Sequence, residues 1–499
     1  MKIKLILLTA VLVLIIGLAA VGYWWMSRPQ VITFSDDAKV TLLKVEYGKR
    51  HAPPPATKTA GKPATGTAGA VARRAGASSF TTPTDTLVLW VRQEYDASNN
   101  QYHNFQYYVY DAAETACAQT FGVNYAGNRG GNEVVGIRLD AFPHRQGKLH
   151  VRVQEQGNSG QELSEQKFVI SNPASGKSFA AWTAEPLPST KEDGDLAVTL
   201  TKLVSGADMP YQRNQDNPDD AMNKGVQVAF HVERAGKRVT SWQPVSVETT
   251  DATGNRTVIN YGPNGNQVQW NGDEGTFTYQ YGLWPDEPAW KVRMEMTQTS
   301  DFSSDEQWTA QNIPVVLGSQ QSFNSLAGMR GAAVVRGGAV VRNNPPAGGN
   351  PPVAPTPFAE ADLSGHHIKV FPAVEFTNMP ANYPQQGGFV VQIQPALMNN
   401  GMRPINAVGV NATQPPDDGL RLTLAKTTDG QGSEITSMGN GWSTSGMGGD
   451  NSTSTYRFTF RELAGVTNIN ATIALHKNRF VEFTAKPSKQ ETSNKVEDK

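Results

Sequence analysis

Three stretches of this chain alternate apolar and polar residues with a period of two. Leu149, Val151 and Val153 stand against Lys148, His150 and Arg152, and Trp290, Val292, Met294 and Met296 against Lys291, Arg293 and Glu295. Ile469, Ala471, Ile473 and Leu475 stand against Asn470, Thr472 and His476. One apolar and one polar face predicts a half-buried antiparallel strand in each case.

The surroundings of these strands recur as well. Val40-Thr41-Leu42-Leu43-Lys44-Val45 is echoed by Val198-Thr199-Leu200-Thr201-Lys202-Leu203 and more faintly by Ile368-Lys369-Val370-Phe371. A later strand in each copy runs into an acidic turn, at Tyr110-Asp111, Asp251-Ala252-Thr253-Gly254 and Asp429-Gly430-Gln431-Gly432, where Asp and Gly supply turn chemistry. Each copy closes on an aromatic and then a proline: Phe168 to Asn172-Pro173, Trp308 to Asn312-Ile313-Pro314, and Phe483 to Lys486-Pro487. The span from turn to proline is about 60 residues each time, and self-similarity at a fixed spacing signals repeated units.

With 499 residues, 47 Gly, 31 Pro and no convincing amphipathic helix, the pattern predicts an all-β fold. The expected architecture is three tandem antiparallel β-sandwich modules after an N-terminal transmembrane helix, immunoglobulin-like in layout alone because the Cys, Trp, Cys spacing is absent. The expected modules are 31–175, 190–317 and 358–488. A Pro-, Ala- and Thr-rich insert at about 51–84 is expected to be disordered, a Gly/Pro-rich linker fills 318–357, and 489–499 is a charged tail.

The N-terminus adds a compartment. Lys2 and Lys4 precede an uncharged apolar run over residues 5–26, which as a helix spans roughly 33 Å and matches a bilayer core. Tyr23, Trp24 and Trp25 fall where an interfacial aromatic belt belongs. The expected topology is a single-pass anchor with a cytoplasmic N-terminus and the bulk of the chain periplasmic or at the cell surface. A cleaved signal peptide ending near Ala20-Val21-Gly22 is the competing reading. Lys plus Arg total 44 against 45 acidic residues, so no global field draws in nucleic acid. Cys117 is the only cysteine, so the modules depend on apolar burial without an intrachain disulfide.

Candidate chemistry is sparse. Ser171 to Ser178 ends like a phosphate loop but lacks its first Gly and is followed by prolines, where a helix N-terminus is needed. Gly441-Trp442-Ser443-Thr444-Ser445-Gly446 lacks the second Gly of a nucleophile elbow and reads as a long flexible loop. His366 and His367 are neighbours, so on a strand they point to opposite faces. The acidic clusters at Asp216, Asp219 and Asp220 and at Asp417-Asp418 lack the ligand alternation of a calcium loop. No metal, cofactor or catalytic constellation is expected. The candidate ligand contacts are Tyr281 and Trp284, set among Tyr279, Gly282, Pro285 and Trp290, because loop aromatics stack on sugar rings or anchor protein partners. Trp290 reads as core. These features favour a noncatalytic interaction or scaffold protein with an envelope protein or glycan partner. A carbohydrate or cell-wall binder and an enzyme with a site between modules are the alternatives.

Overall fold

In the computed structural model the chain is all-β. The structure describes residues 30–34, 38–54, 79–94, 104–110, 117–119, 121–123, 132–139, 141–156, 162–209, 224–260, 268–280, 283–319, 323, 356–377, 387–394, 419–445, 453–461, 463 and 465–490. The predicted anchor at 5–26 lies outside them. Among the described residues no helix is long and apolar enough to cross a membrane.

The strands run as follows: β1 (Gln30–Thr33), β2 (Lys39–His51), β3 (Phe80–Glu94), β4 (Asn104–Tyr110), β5 (Cys117–Gln119), β6 (Phe121–Val123), β7 (Asn132–Leu139), β8 (Lys148–Gln156), β9 (Glu162–Ser171), β10 (Ser189–Asp193), β11 (Leu196–Asp208), β12 (Lys224–Arg234), β13 (Lys237–Arg238), β14 (Trp242–Asp251) and β15 (Arg256–Asn260). They continue as β16 (Gln269–Asn271), β17 (Glu274–Gln280), β18 (Trp290–Gln298), β19 (Gln307–Gly318), β20 (Ala359–Leu363), β21 (His366–Val370), β22 (Ala373–Phe376), β23 (Gly387–Gln394), β24 (Leu420–Asp429), β25 (Ser437–Ser445), β26 (Thr453–Phe460), β27 (Asn468–Lys477), β28 (Arg479–Ala485) and β29 (Ser488–Lys489).

One strand order recurs. The first set forms sheets β1-β2-β3-β7-β6 and β5-β4-β8-β9, and the second repeats them strand for strand as β10-β11-β12-β17-β16 and β15-β14-β18-β28. The third follows the same path as β20-β21-β23-β26-β25 and β24-β27-β19, its two sheets joined through β22. The Thr-rich starts fall on β2, β11 and β21, and the three alternating segments on β8, β18 and β27.

The closing strands are exchanged. β9 pairs with β8 just before it, but β19, which follows β18, pairs with β27. β28, which follows β27 after the single residue Asn478, crosses back to pair with β18. The two strands share an aromatic-Thr-Ala core, Trp308-Thr309-Ala310 and Phe483-Thr484-Ala485. What separates them is the position two residues earlier. Val481 lies there in β28, opposite Met294 and buried in the core, whereas Glu306 stands there immediately before β19. Closing the second set in the same register with its own following strand would place the Glu306 carboxylate against Met294, and a buried charge without a partner is strongly destabilising. Glu306 in its actual place accepts from the Ser303 amide at 3.2 Å and from its hydroxyl at 2.8 Å.

Pairing therefore departs from the expected segments. Residues 307–317, expected in the second module, belong to the sheets of the third strand set, and 479–488, expected in the third, belong to those of the second. The tail begins as strand, with Lys489 opposite Ser205. The expected disordered insert at 51–84 is also trimmed at both ends. His51 pairs with Phe80 and is buried against it, with ring centroids 5.0 Å apart, so residues 51–54 and 79–84 belong to the described structure, while the rest of the expected insert, 55–78, lies outside the described residues. In the expected linker, Phe323 is buried in a small cluster with Phe371, Val374, Phe376 and Val390.

Apolar burial follows the alternation. Leu149, Val151, Val153, Trp290, Val292, Met294, Met296, Ile469, Ala471, Ile473 and Leu475 are all fully buried. One continuous core joins the first and second sets, and a separate core fills the third. On the opposite faces three expected solvent positions are buried instead: Arg152, Glu295 and His476. Arg152 lies 4.8 Å over the Tyr110 ring and 3.0 Å from Glu165, so its stem packs while its charge is paired.

Val292→Asp should cost several kcal/mol of stability by burying an unpaired charge, while Arg293→Asp, on the exposed face between Glu248 and Glu482, should cost only about 1 kcal/mol through like-charge repulsion. Chemical denaturation of the full chain measures both. Proteolytic nicking between residues 324 and 355 should leave the two pieces co-eluting in native gel filtration, because β19 lies before the cut and its partners β22 and β27 after it. Separation under native conditions would show that this pairing does not hold the pieces.

Candidate functional site

Trp284 is 2% exposed and packs in the core among Leu283, Trp290 and the β17 aromatics. Its carbonyl accepts from the Trp290 indole at 3.1 Å and from the Glu287 amide at 3.3 Å. The same tight turn precedes β8, from Pro143 to Gln146, and β27, from Leu463 to Val466. Trp284 thus fills a position that closes the end of the core, and it offers no ring face to a ligand. Tyr281 lies outside the described residues. Tyr279 is buried, with its hydroxyl 2.8 Å from Thr249 Oγ1.

The densest buried polar cluster lies where the first and second sets meet. Its frame is the acidic turn after β14. Asp251 Oδ1 accepts from the amides of Thr253 at 2.8 Å and Asn255 at 3.1 Å, and Gly254 completes the turn at φ +98°, a left-handed conformation that suits glycine. The turn after β24 is built alike. Asp429 Oδ1 accepts from Gln431 at 2.9 Å and Ser433 at 2.8 Å, with Gly432 at φ +89°.

The two turns differ in what they meet. Asn255 reads the backbone of Phe142 on both sides, its Oδ1 accepting from the Phe142 amide at 3.0 Å and its Nδ2 donating to the Phe142 carbonyl at 2.9 Å. Residues 430–434 of the later turn are exposed. The Phe142 loop is itself held by Asn172, whose amide donates to the carbonyls of Pro143, His144 and Gln146 at 3.0, 3.2 and 2.7 Å. The Ser171–Ser178 stretch is therefore a loop organiser.

Beside Asn255, His144 Nδ1 lies 3.0 Å from Thr253 Oγ1, and that hydroxyl donates to Asp251 Oδ1 at 2.6 Å. The order is His, Thr, Asp, with the hydroxyl proton committed to the carboxylate, so the imidazole serves as donor and does not activate the hydroxyl as a nucleophile. Burial pushes His144 down to about 4, which keeps it neutral. Glu287 is raised by its own burial and by nearby Asp251, and is held by Arg145 at 3.1 Å. This cluster is a joint between sheets.

A second buried cluster sits at the strand crossing. Glu295 on β18 accepts from Asn478 Nδ2 at 2.7 Å and pairs with Arg421 of β24. His476, on β27, lies 3.1 Å from Thr423 Oγ1 and is pushed down to about 4 by burial and by Arg421. Strands from two sets thus share one carboxylate.

The remaining candidates lie elsewhere. His366 and His367 fall on β21, and half-buried His367 bridges Asp362 at 2.8 Å and Glu360 at 2.9 Å, both of which raise its pKa. Gly441 to Ser445, expected in a flexible loop, lie on β25 paired with β26. The clusters at Asp216–Asp220 and Asp417-Asp418 lie outside the described residues. Among the described residues no group of three or more His, Cys, Asp or Glu side chains is arranged to hold a metal. Asn255-Arg256-Thr257 has the Asn-X-Thr pattern of a glycosylation acceptor, but Asn255 is buried with both ends of its amide engaged. No protein-family model matches the chain, and no curated protein matches its sequence.

Sequence reasoning assigned the acidic turn to geometry alone. The second role of Asn255 and the pairings of His144, Glu295 and Asn478 join residues more than 100 positions apart, which no local spacing reports.

Both histidines titrate near 6.5 when unfolded and near 4 when folded, so the unfolded chain takes protons first as pH falls. Stability should drop between pH 6.5 and about 4, by on the order of 3 kcal/mol for each fully protonated histidine. His144→Gln should flatten part of that slope and His476→Gln another part, read as denaturation midpoints across the window. Raised Glu287 acts in the opposite sense, which is why the comparison is made between variants.

Proposed function

We propose that this chain is held in a membrane by residues 5–26 and carries three immunoglobulin-like sandwich modules outside the cytoplasm, acting as a noncatalytic interaction or scaffold protein of the cell envelope. The observation behind this reading is the use made of its buried polar groups. Asn255, Glu287 and Glu295 are each engaged by a partner on another strand or loop, fixing one sheet against the next, and Asp251 holds the turn that carries Asn255. Groups consumed in joints hold geometry, and fixed geometry suits a protein that keeps a partner at a set position. The partner is an envelope protein or a glycan met by exposed strand edges and loops. Buried Trp284 gives the sugar-stacking version no support.

Fractionation and cross-linking in intact cells test the reading. The full chain should stay with the membrane through a carbonate wash, be cut by protease from the outer side only, and cross-link into discrete heavier species there. A soluble form beginning near Tyr23 removes the anchor. A full-length membrane chain that cross-links to nothing removes the scaffold role.

A further inference from the structure

The chain enters its second set by a fixed route. Residues 182–188 lead to β10, and on the way Glu185 joins the outer edge of β28, its amide donating to the Thr484 carbonyl at 2.7 Å in a parallel bridge with Ala485. Side chains hold the segment there. Glu185 takes Lys191 and the Ser189 hydroxyl, each at 2.8 Å, Leu187 packs on the core, and the Lys291 ammonium lies 5.2 Å over the Trp182 ring.

The first set repeats this frame residue by residue. Gln30 stands opposite Leu42 as Ser189 stands opposite Leu200, and the same bulge follows in both, between Leu42 and Lys44 and between Leu200 and Lys202. In the other sheet, Val169 opposite His150 matches Thr484 opposite Lys291, and Ile170 matches Ala485. Counting back from Gln30 therefore sets Pro29 at the place of Pro188, Met26 at that of Glu185 and Tyr23 at that of Trp182. Residues 23–29 lie outside the described residues. The ion pair of Glu185 and Lys191 has Met26 and Ile32 as its counterparts, and half-buried Ile32 packs against the core. Both ends have changed together from charged to apolar, so apolar burial takes the place of the charge pair.

We propose that Tyr23 to Ser27 dock along β9 as Trp182 to Pro186 dock along β28, with the Met26 amide donating to the Val169 carbonyl and the Tyr23 ring beside His150. The first set is then fixed to what precedes it, without a loose tether. This goes beyond the anchor reading and holds equally for a chain trimmed near Gly22. In the anchored chain the spanning helix ends at Gly22, and residues 5–22 still reach roughly 27 Å as a helix. The β9 edge is then brought to the membrane surface.

Disulfide trapping in the full chain tests the register. One residue back from the Glu185 bridge, Ala184 is level with Thr484, and their counterparts are Trp25 and Val169. In a Cys117→Ser background, Trp25→Cys is combined with Val169→Cys, or for comparison with Gln166→Cys at an exposed position earlier on β9. Mild oxidation should link the Val169→Cys pair within one chain in about tenfold higher yield than the Gln166→Cys pair, because docking raises the effective concentration at one register only. Tyr23→Cys with His150→Cys should link as well, which covers the case of a first pair that disturbs folding. Equal yields at Val169→Cys and Gln166→Cys, or no link in either the Val169→Cys or the His150→Cys pair, overturn the docking. A linked but soluble chain beginning near Tyr23 supports the docking and removes the anchor, whereas an unlinked chain that stays with the membrane does the reverse.

Discussion

The pairing of β28 with β18 is the contact on which the rest of the architecture hangs. It closes the sheet that carries Trp290, Val292 and Met294, and in doing so it ties the last residues of the chain to its middle. Because β27 and β28 are separated by Asn478 alone, the third set cannot shift without pulling on that sheet. The buried Glu295 with Arg421 and Asn478 fixes the crossing point. A buried ion pair is weak as a source of stability but strong in penalising the wrong arrangement, since either partner alone would be left charged and unsolvated.

The first and second sets are joined by different means to a similar end. There a polar turn meets a loop through hydrogen bonds from the Asn255 side chain to the Phe142 backbone, and a continuous apolar core runs beneath. The turn after β24 has the same internal hydrogen bonds yet stands in solvent. A local motif thus sets its own shape, while the residue at its fifth position, Asn255 in one case and Ser433 in the other, goes with whether it docks.

Much of the fold was legible because period two, turn residues and recurring spacing are local signals. The alternating rows at β8, β18 and β27 lie where the sequence places them, with their apolar members inside. What could not be read was which strand closes which sheet. Phe168, Trp308 and Phe483 have similar neighbours, and only the contrast between Val481 and Glu306, weighed against a core not yet known, separates the outcomes. Polar members of the rows misled for the same reason. Arg152 and His476 face outward from their own strands but pair with Glu165 and Thr423 on the neighbouring strands of their sheets, while Glu295 meets Asn478 and Arg421 of the third set. Trp284 belonged to a loop by sequence and to the core by packing.

The crossing also sets a timetable for synthesis. A chain made from its N-terminus can complete the first set as soon as β9 emerges. The second must wait, its β18 edge bare, while the strands of the third are made and β28 follows. An apolar, unpaired edge held open that long is the kind of surface that attracts other chains during folding. Long-range closure of this sort is also slow, because the loop must be closed before its contacts reward it. The middle of this protein is therefore the last part to become native.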